Sequence, residues 1–221
     1  MASDAVLRRG AAAAPISRTE IETRSQSVLG KVRWYRPRIR VVVLPDGQRA
    51  VVKDFRSCPW FWRASYGRWL TRRETLAYRR LDGIPDIPRF LGRIDRHAIA
   101  IEWVPGTCIG KCLYGSLGVE TFERLGRAVE ALHSRGVIHM DLRQKKNVIV
   151  DAAGVPRIID FSSALTFAPG TALGRWLIRR FRGVDITGVL KNKRRFVPDT
   201  ITPAEAERLR VFDRRRRFWP F

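Results

Sequence analysis

Cysteine is scarce: Cys58, Cys108 and Cys112 are the only three in 221 residues. Three thiols make no disulfide framework, so the fold must rest on a buried core, and a reducing, cytoplasmic compartment is expected. Cys108 and Cys112 stand four apart with no second close pair, which leaves a tetrahedral zinc site two ligands short. No stretch approaches the roughly 20 consecutive apolar residues of a membrane-spanning helix, which argues against a polytopic membrane protein. Acidic residues are few as well. Asp and Glu number 21 against 43 Lys and Arg, a formal net charge of +22. Such a surface attracts polyanions: nucleic acid, anionic lipid, or phosphorylated and acidic sugars.

What is present is an ordinary core-forming chain, 45% hydrophobic and 29% charged, long enough for one large domain or two small ones. Residues 1–19 read as a flexible tail, because Arg8-Arg9, Gly10 and four alanines make a poor signal-peptide core. From Ile21 to Phe55 the chain reads as strands. Within it Val41–Leu44 and Ala50–Phe55 flank Pro45-Asp46-Gly47, the signature of a hairpin. Arg68–Leu81 reads as a helix that Pro85 and Pro88 forbid from continuing. Ile99–Ile101 is a short strand running into Pro105-Gly106. Phe122, Leu125, Val129 and Leu132 are spaced for an amphipathic helix ending near Gly136. Val148–Val150 and Arg157–Ile159 form a second hairpin, and Gly174–Leu190 and Pro203–Arg217 are basic helices. Strand-rich sequence thus precedes mainly helical sequence, with a boundary near Val104–Gly106.

The second hairpin is framed by polar residues of one chemistry. Before it stand His139, Asp141, Leu142, Arg143 and Asn147; after it come Asp160-Phe161-Ser162. The two ends of a hairpin lie side by side, so oxygens of Asn147 and Asp160 can converge on one hard cation such as Mg²⁺. Asp141, just before the hairpin, is placed to accept a hydroxyl proton. Upstream, Leu70, Glu74, Ala77 and Leu81 share one helix face, so Glu74 is a carboxylate on an apolar stripe and needs a cationic partner.

This pattern, His-x-Asp-Leu, then Asn, then Asp-Phe, resembles the protein-kinase superfamily from about residue 20 to 190. The resemblance implies an α+β, two-lobed kinase-like fold. A small N-lobe (20–104) would carry an antiparallel sheet and one helix. A mainly helical, truncated C-lobe (105–200) would follow, then a basic helix and tail (201–221). It implies ATP and Mg²⁺ as cofactors, with Asn147 and Asp160 as metal ligands and Asp141 as the group that orients or deprotonates the acceptor. Lys53, ending Ala-Val-Val-Lys, would anchor the phosphates and pair with Glu74, and Arg143 would lie near the transferred phosphate. Glu102, Trp103 and Val104 resemble the adenine-binding hinge, and Asp185 the buried Asp of the large lobe's central helix. Gly30, the only glycine of the region, is a candidate nucleotide-binding residue, and the phosphate-covering turn reads either as Ser25–Lys31 or as Trp34–Arg38.

The departures are specific. Asp141 and Asn147 are six apart, one more than usual; Met140 replaces the usual Arg and Ser162 the usual Gly. No Gly-x-Gly-x-x-Gly loop occurs, and Asp160 and Asp185 are only 25 apart. Small bacterial and RIO-like kinases share these losses. The lipopolysaccharide-core kinases that phosphorylate 3-deoxy-octulosonic acid or heptose are similar in size and plan. The expected acceptor is therefore a sugar of an anionic glycolipid, the lipopolysaccharide inner core, met at the cytoplasmic membrane face. An atypical Ser/Thr protein kinase is one alternative. A pseudokinase that binds nucleic acid or anionic membrane is another.

His139 reads as structural, His97 and His133 as surface or helix-end residues, and Asp54 and Asp151 as strand-end or turn acids. Trp60-Phe61-Trp62 and the Arg-rich stretch Arg175–Arg182 have the composition of interfacial membrane segments and equally that of core aromatics beside a solvated face. For the tail Arg214–Phe221, surface contact is the favoured reading.

Overall fold

The computed structural model describes residues 16–30 and 33–216. The first 15 residues, Lys31 of one candidate phosphate-covering turn, and the end of the basic tail from Arg217 lie outside the described residues. The chain divides into two compact units. One holds the residues up to Arg68 together with Phe90–Trp103; the other holds Trp69–Arg89 and the chain from Val104 onward.

The first unit is built on a five-stranded antiparallel sheet, with a short helix α1 (Arg18–Thr23) before it and a helical segment over Trp60–Gly67 after its third strand. Its strands are β1 (Ser25–Leu29), β2 (Arg38–Val43), β3 (Arg49–Asp54), β4 (Phe90–Arg93) and β5 (Ala98–Glu102), in the order β1-β2-β3-β5-β4. The β2–β3 hairpin turns where the sequence predicts. Gly47 takes a left-handed φ of +80°, and the Asp46 carboxylate accepts the Gln48 N–H at 3.0 Å. Register pairs Val43 with Arg49 and Ile39 with Lys53. Alternation then sends Ala50, Val52 and Asp54 to one face and Lys53 to the other. The first face packs with Val42, Leu44, Ala100, Ile16 and Ile21 as a buried core.

Ile21 is in a helix, where the strand reading had placed it at the start of a strand. Ser17 and Glu20 form a capping box: the Ser17 hydroxyl accepts the Glu20 N–H at 3.2 Å and the Glu20 carboxylate accepts the Ser17 N–H at 2.8 Å. That start signal outweighs the β-branched residue that follows. The same helix sets Arg18 between two carboxylates, Asp54 and Asp95, each at 2.5 Å. Asp54 is therefore a buried ion-pair partner rather than an ordinary strand-end acid.

The second unit is mainly helical. α2 (Arg68–Arg80) has its first residue in the first unit and the rest here. α3 (Val119–Ser134) buries Phe122, Leu125, Val129 and Leu132, the stripe read from the spacing. Gly136 ends it with a φ of +74°; a Cβ there would collide with the Phe167 carbonyl oxygen. Short strands β6 (Thr107–Cys108), β8 (Val148–Val150) and β9 (Pro156–Ile158) form one small sheet, and β7 (Val137–Ile138) pairs with β10 (Leu165–Thr166). α4 (Ala172–Phe196) is the longest helix described, at 25 residues, and α5 (Pro203–Arg216) is joined to it by Lys193–Glu205 at 2.8 Å. The fold is thus α+β, with an antiparallel N-terminal sheet and a mostly helical C-terminal part. Among the described residues no helix is long and apolar enough to cross a membrane.

Burial works against ionisation of Asp95, but the His97 N–H and the Arg18 guanidinium outweigh it and hold its carboxyl below the ordinary range. A carboxyl lowered on folding contributes stability that is full above its unfolded pKa of about 3.9 and is lost as pH falls through the folded value. Arg18→Ala should destabilise the protein by about 1–3 kcal/mol near neutrality, because it leaves the buried Asp54 without its cation. The deficit should shrink as pH falls below about 3.9 and through the lowered value of Asp95. Urea denaturation of both proteins across pH checks this; a deficit independent of pH would contradict the pairing.

Candidate active site

The loop from β7 to β8 is fixed from beneath by one carboxylate. Asp185, in the middle of α4, is fully buried. It accepts the His139 N–H at 2.7 Å, the Met140 N–H at 2.8 Å and a contact from His133 Nε2 at 3.0 Å. Met140 is held with a φ of +69°, a left-handed conformation that a Met seldom adopts and that these bonds sustain. His133 lies in the last turn of α3, as a helix-end residue, but it is buried against Asp185 rather than on the surface.

The His139 ring is also committed. Its Nδ1 accepts the Asp141 N–H at 3.3 Å, so Nε2 carries the proton and donates to the Ile159 carbonyl at 3.0 Å. The imidazole therefore couples the loop to the chain just before Asp160 and is turned inward, fully buried.

Asp141 and Asn147 are brought together. The Asn147 amide nitrogen donates to the Asp141 carbonyl and to its carboxylate, both at 2.9 Å. The six-residue spacing is absorbed by a 3₁₀ turn at Lys145–Asn147. With both amide hydrogens used, Asn147 Oδ1 is the free end. It is buried and has no hydrogen-bond partner among the described residues. Gln144 adds a second amide, donating to both Asp141 carboxylate oxygens at 2.7 Å. The sequence reading missed Gln144, whose only signal is an amide three residues after Asp141.

Asp160 is joined to this group through the backbone: the Ile159 N–H donates to the Asn147 carbonyl at 2.9 Å. Asp160 itself has φ 66° and ψ 70°, the second non-glycine residue in left-handed backbone. Phe161, fully buried, packs its ring against His139 at 4.9 Å and against Tyr78 of α2 at 5.0 Å. Two further α2 residues hold the segment after Asp160. Arg73 donates to the Ser163 and Ala164 carbonyls, and Arg80 to the Phe167 carbonyl, all at 2.5 Å. Glu74, on the same helix, is buried.

Arg143 lies against α5, with its guanidinium 3.4 Å from Asp213 and 5.6 Å from the Phe212 ring centre. Lys145 sits over the Tyr114 ring at 5.5 Å. Among the described residues no cluster of three His, Cys, Asp or Glu could hold a metal ion.

The remaining expected site residues belong to the first unit or its exit. Lys53 is buried on β3, on the face opposite the Val52 core. Gly30 follows β1 with a φ of +72°. Because Ser25–Leu29 is a paired strand, the β1–β2 connection is residues 30–37, which removes Ser25–Leu29 from the candidate phosphate-covering turn. Glu102 ends β5, the Trp103 ring lies under the Arg49 guanidinium at 5.4 Å, and the chain passes to the second unit between Trp103 and Val104.

No protein-family model matches this chain, and no curated protein matches it.

Asp185→Ala would strand the His139 and Met140 N–H groups in a buried place. Each unsatisfied donor costs about 1–3 kcal/mol, so a loss on the order of 3–5 kcal/mol is expected by urea denaturation. Asp185→Asn, which retains one acceptor oxygen, should lose less. Equal losses in the two variants would show that the carboxylate's hydrogen bonds are not what holds the loop.

Proposed function

We propose that the chain has a two-lobed, protein-kinase-like fold and transfers the γ-phosphate of ATP to a hydroxyl group with the help of Mg²⁺. The observation that carries this reading is Asn147 Oδ1: a buried amide oxygen with no partner among the described residues, in a side chain whose other end is clamped to Asp141. A buried acceptor left unpaired is costly unless something binds it. A hard cation suits an amide oxygen paired with a carboxylate, and we assign that carboxylate to Asp160, which follows Ile159, itself bonded through its N–H to the Asn147 carbonyl. Asn147 and Asp160 would hold Mg²⁺, which when bound supplies positive charge against the triphosphate.

Asp141 then orients the acceptor hydroxyl and takes its proton as the acceptor oxygen bonds to phosphorus and the bridging oxygen departs with ADP. The amides of Asn147 and Gln144 fix the direction of that carboxylate. Lys53 is assigned to the nucleotide phosphates, Glu74 to orienting Lys53, Arg143 to the transferred group, and Glu102, Trp103 and Val104 to adenine. The acceptor we favour is a sugar hydroxyl of an anionic glycolipid of the lipopolysaccharide inner-core type, met by a peripheral protein on the cytoplasmic face of the membrane. The net charge of +22 supports an anionic acceptor.

Asp141→Asn should lower phosphate transfer about 10²–10⁴-fold while leaving ATP affinity near wild type. Asn147→Ala and Asp160→Ala should abolish the gain in ATP affinity that Mg²⁺ brings. Calorimetric titration with ATP, with and without Mg²⁺, together with a phosphate-transfer assay, checks both. Mg²⁺ dependence unchanged in the Asn147 and Asp160 variants would refute the metal assignment. For the acceptor, mass spectrometry of core-glycolipid extracts from cells with and without the gene should differ by one phosphate on a core sugar.

A further inference from the structure

The first unit carries a surface that phosphate transfer does not use. Two segments build it, residues 33–40 and 55–68, which together hold seven arginines and no acidic residue. They are laced to one another. The Trp62 indole N–H donates to the Tyr35 carbonyl at 2.8 Å, and the Cys58 thiol donates to the Arg36 carbonyl at 3.3 Å. Large rings stand out from them into solvent: Trp34 is 61% exposed, Trp60 72% and Phe61 51%. Trp62, half-buried, anchors the group, with Trp34 at 5.8 Å and Tyr66 at 4.8 Å. Arg33 and Arg36 each lie over the Tyr35 ring.

The same segments also line a cavity of about 180 Å³, between α1 and the starts and ends of β2 and β3. Its walls carry Arg18, Arg38, Arg40 and Arg56 against Glu22 and Asp54. Arg18 is already spent on Asp54 and Asp95. The Arg38 Nε is buried with no hydrogen-bond partner among the described residues. Arg38, Arg40 and Arg56 therefore outnumber the one remaining carboxylate, Glu22, and the cavity is complementary to a small anion bearing several oxygens, such as a phosphate.

We propose that these two segments are a docking surface for an anionic phospholipid membrane, with the arginine cavity taking a lipid phosphate and Trp34, Trp60 and Phe61 resting in the headgroup boundary. Cations beside exposed Trp and Phe are the composition of an interfacial contact. The cavity favours lipid over nucleic acid: about 180 Å³ suits a single phosphate rather than the continuous basic groove that tracks a nucleic-acid backbone. Trp34 meets Tyr35 and Trp62 edge to face, at 79° and 61°, and Trp60 meets Phe61 at 88°. This inference deepens the membrane-side placement in the proposed function, and its readout, vesicle binding, is separate from phosphate transfer.

The test uses the full chain, sedimented with phosphatidylcholine vesicles and with vesicles that also contain phosphatidylglycerol, at low and high salt. Binding should require phosphatidylglycerol and weaken with salt. Trp60→Ser with Phe61→Ser, both exposed positions, should lower vesicle affinity about ten-fold, and Arg38→Gln with Arg56→Gln by a similar factor. Wild-type vesicle affinity in the Trp60→Ser, Phe61→Ser variant overturns the proposal, whatever the arginine variant does. Tighter binding to single-stranded RNA than to the vesicles, lost in the same variants, overturns it in favour of nucleic acid. Capture of inorganic phosphate without vesicle binding assigns the cavity to a soluble ligand and likewise overturns it.

Discussion

The buried carboxylate of Asp185 is the constraint on which the candidate site depends. A fully buried acid among apolar helices is costly unless every lone pair is used. Here the donors are two consecutive backbone N–H groups of the β7–β8 loop and one imidazole. The loop takes a left-handed turn at Met140 because only that turn aims both N–H groups at one carboxylate. Once it is made, Asp141 follows in a fixed direction, and the His139 ring is brought under Ile159. The position of the proposed base is thus inherited from a residue 44 places further along the chain.

The strained residue at Asp160 belongs to the same system. Left-handed backbone at a non-glycine residue persists only where the surroundings over-determine it. The Ile159 N–H is tied to Asn147 on one side, and Phe161 is packed between His139 and Tyr78 on the other. Asp160 is therefore clamped between two anchored neighbours, and its backbone is fixed from both sides. Strain at both Met140 and Asp160, in one loop pair, marks where local propensity gives way to geometry.

Legibility in the sequence followed the range of each signal. The Asp46-Gly47 turn, the stripe from Phe122 to Leu132 and the second hairpin were readable because each is written within a dozen neighbouring residues. The closeness of Asn147 to Asp141 and to the chain at Ile159 was readable for the same reason, since a hairpin's ends must meet. α1 was not, because Ile21 beside later β-branched residues looks like a strand unless Ser17 and Glu20 are read as a cap. β4 was not, because Phe90–Arg93 lacks alternation and forms on the edge of β5. Arg18, whose carboxylates lie 36 and 77 residues away, leaves no local trace. Neither do Arg73 and Arg80, because backbone carbonyls as acceptors have no residue type.

Those two arginines carry a consequence for Glu74. They attach α2 to the carbonyls of residues 163, 164 and 167, and Tyr78 adds a ring contact with Phe161. The helix and the segment after Asp160 are therefore one packed element, and Glu74 is placed by the same contacts that place Phe161. A shift of Phe161 out from between Tyr78 and His139 would loosen α2 and the Asp160 backbone together, because interdigitated rings rearrange in discrete steps rather than by gradual sliding. In the proposed function this couples a carboxylate that orients the phosphate anchor to a carboxylate that holds metal. A Gly after Asp160-Phe161 would supply backbone freedom at that point. Ser162 stands there instead, in a 3₁₀ turn at Phe161–Ser163 whose Ser163 carbonyl is already bonded to Arg73. The segment is thus tied at Ser163 to α2 rather than left to a flexible glycine.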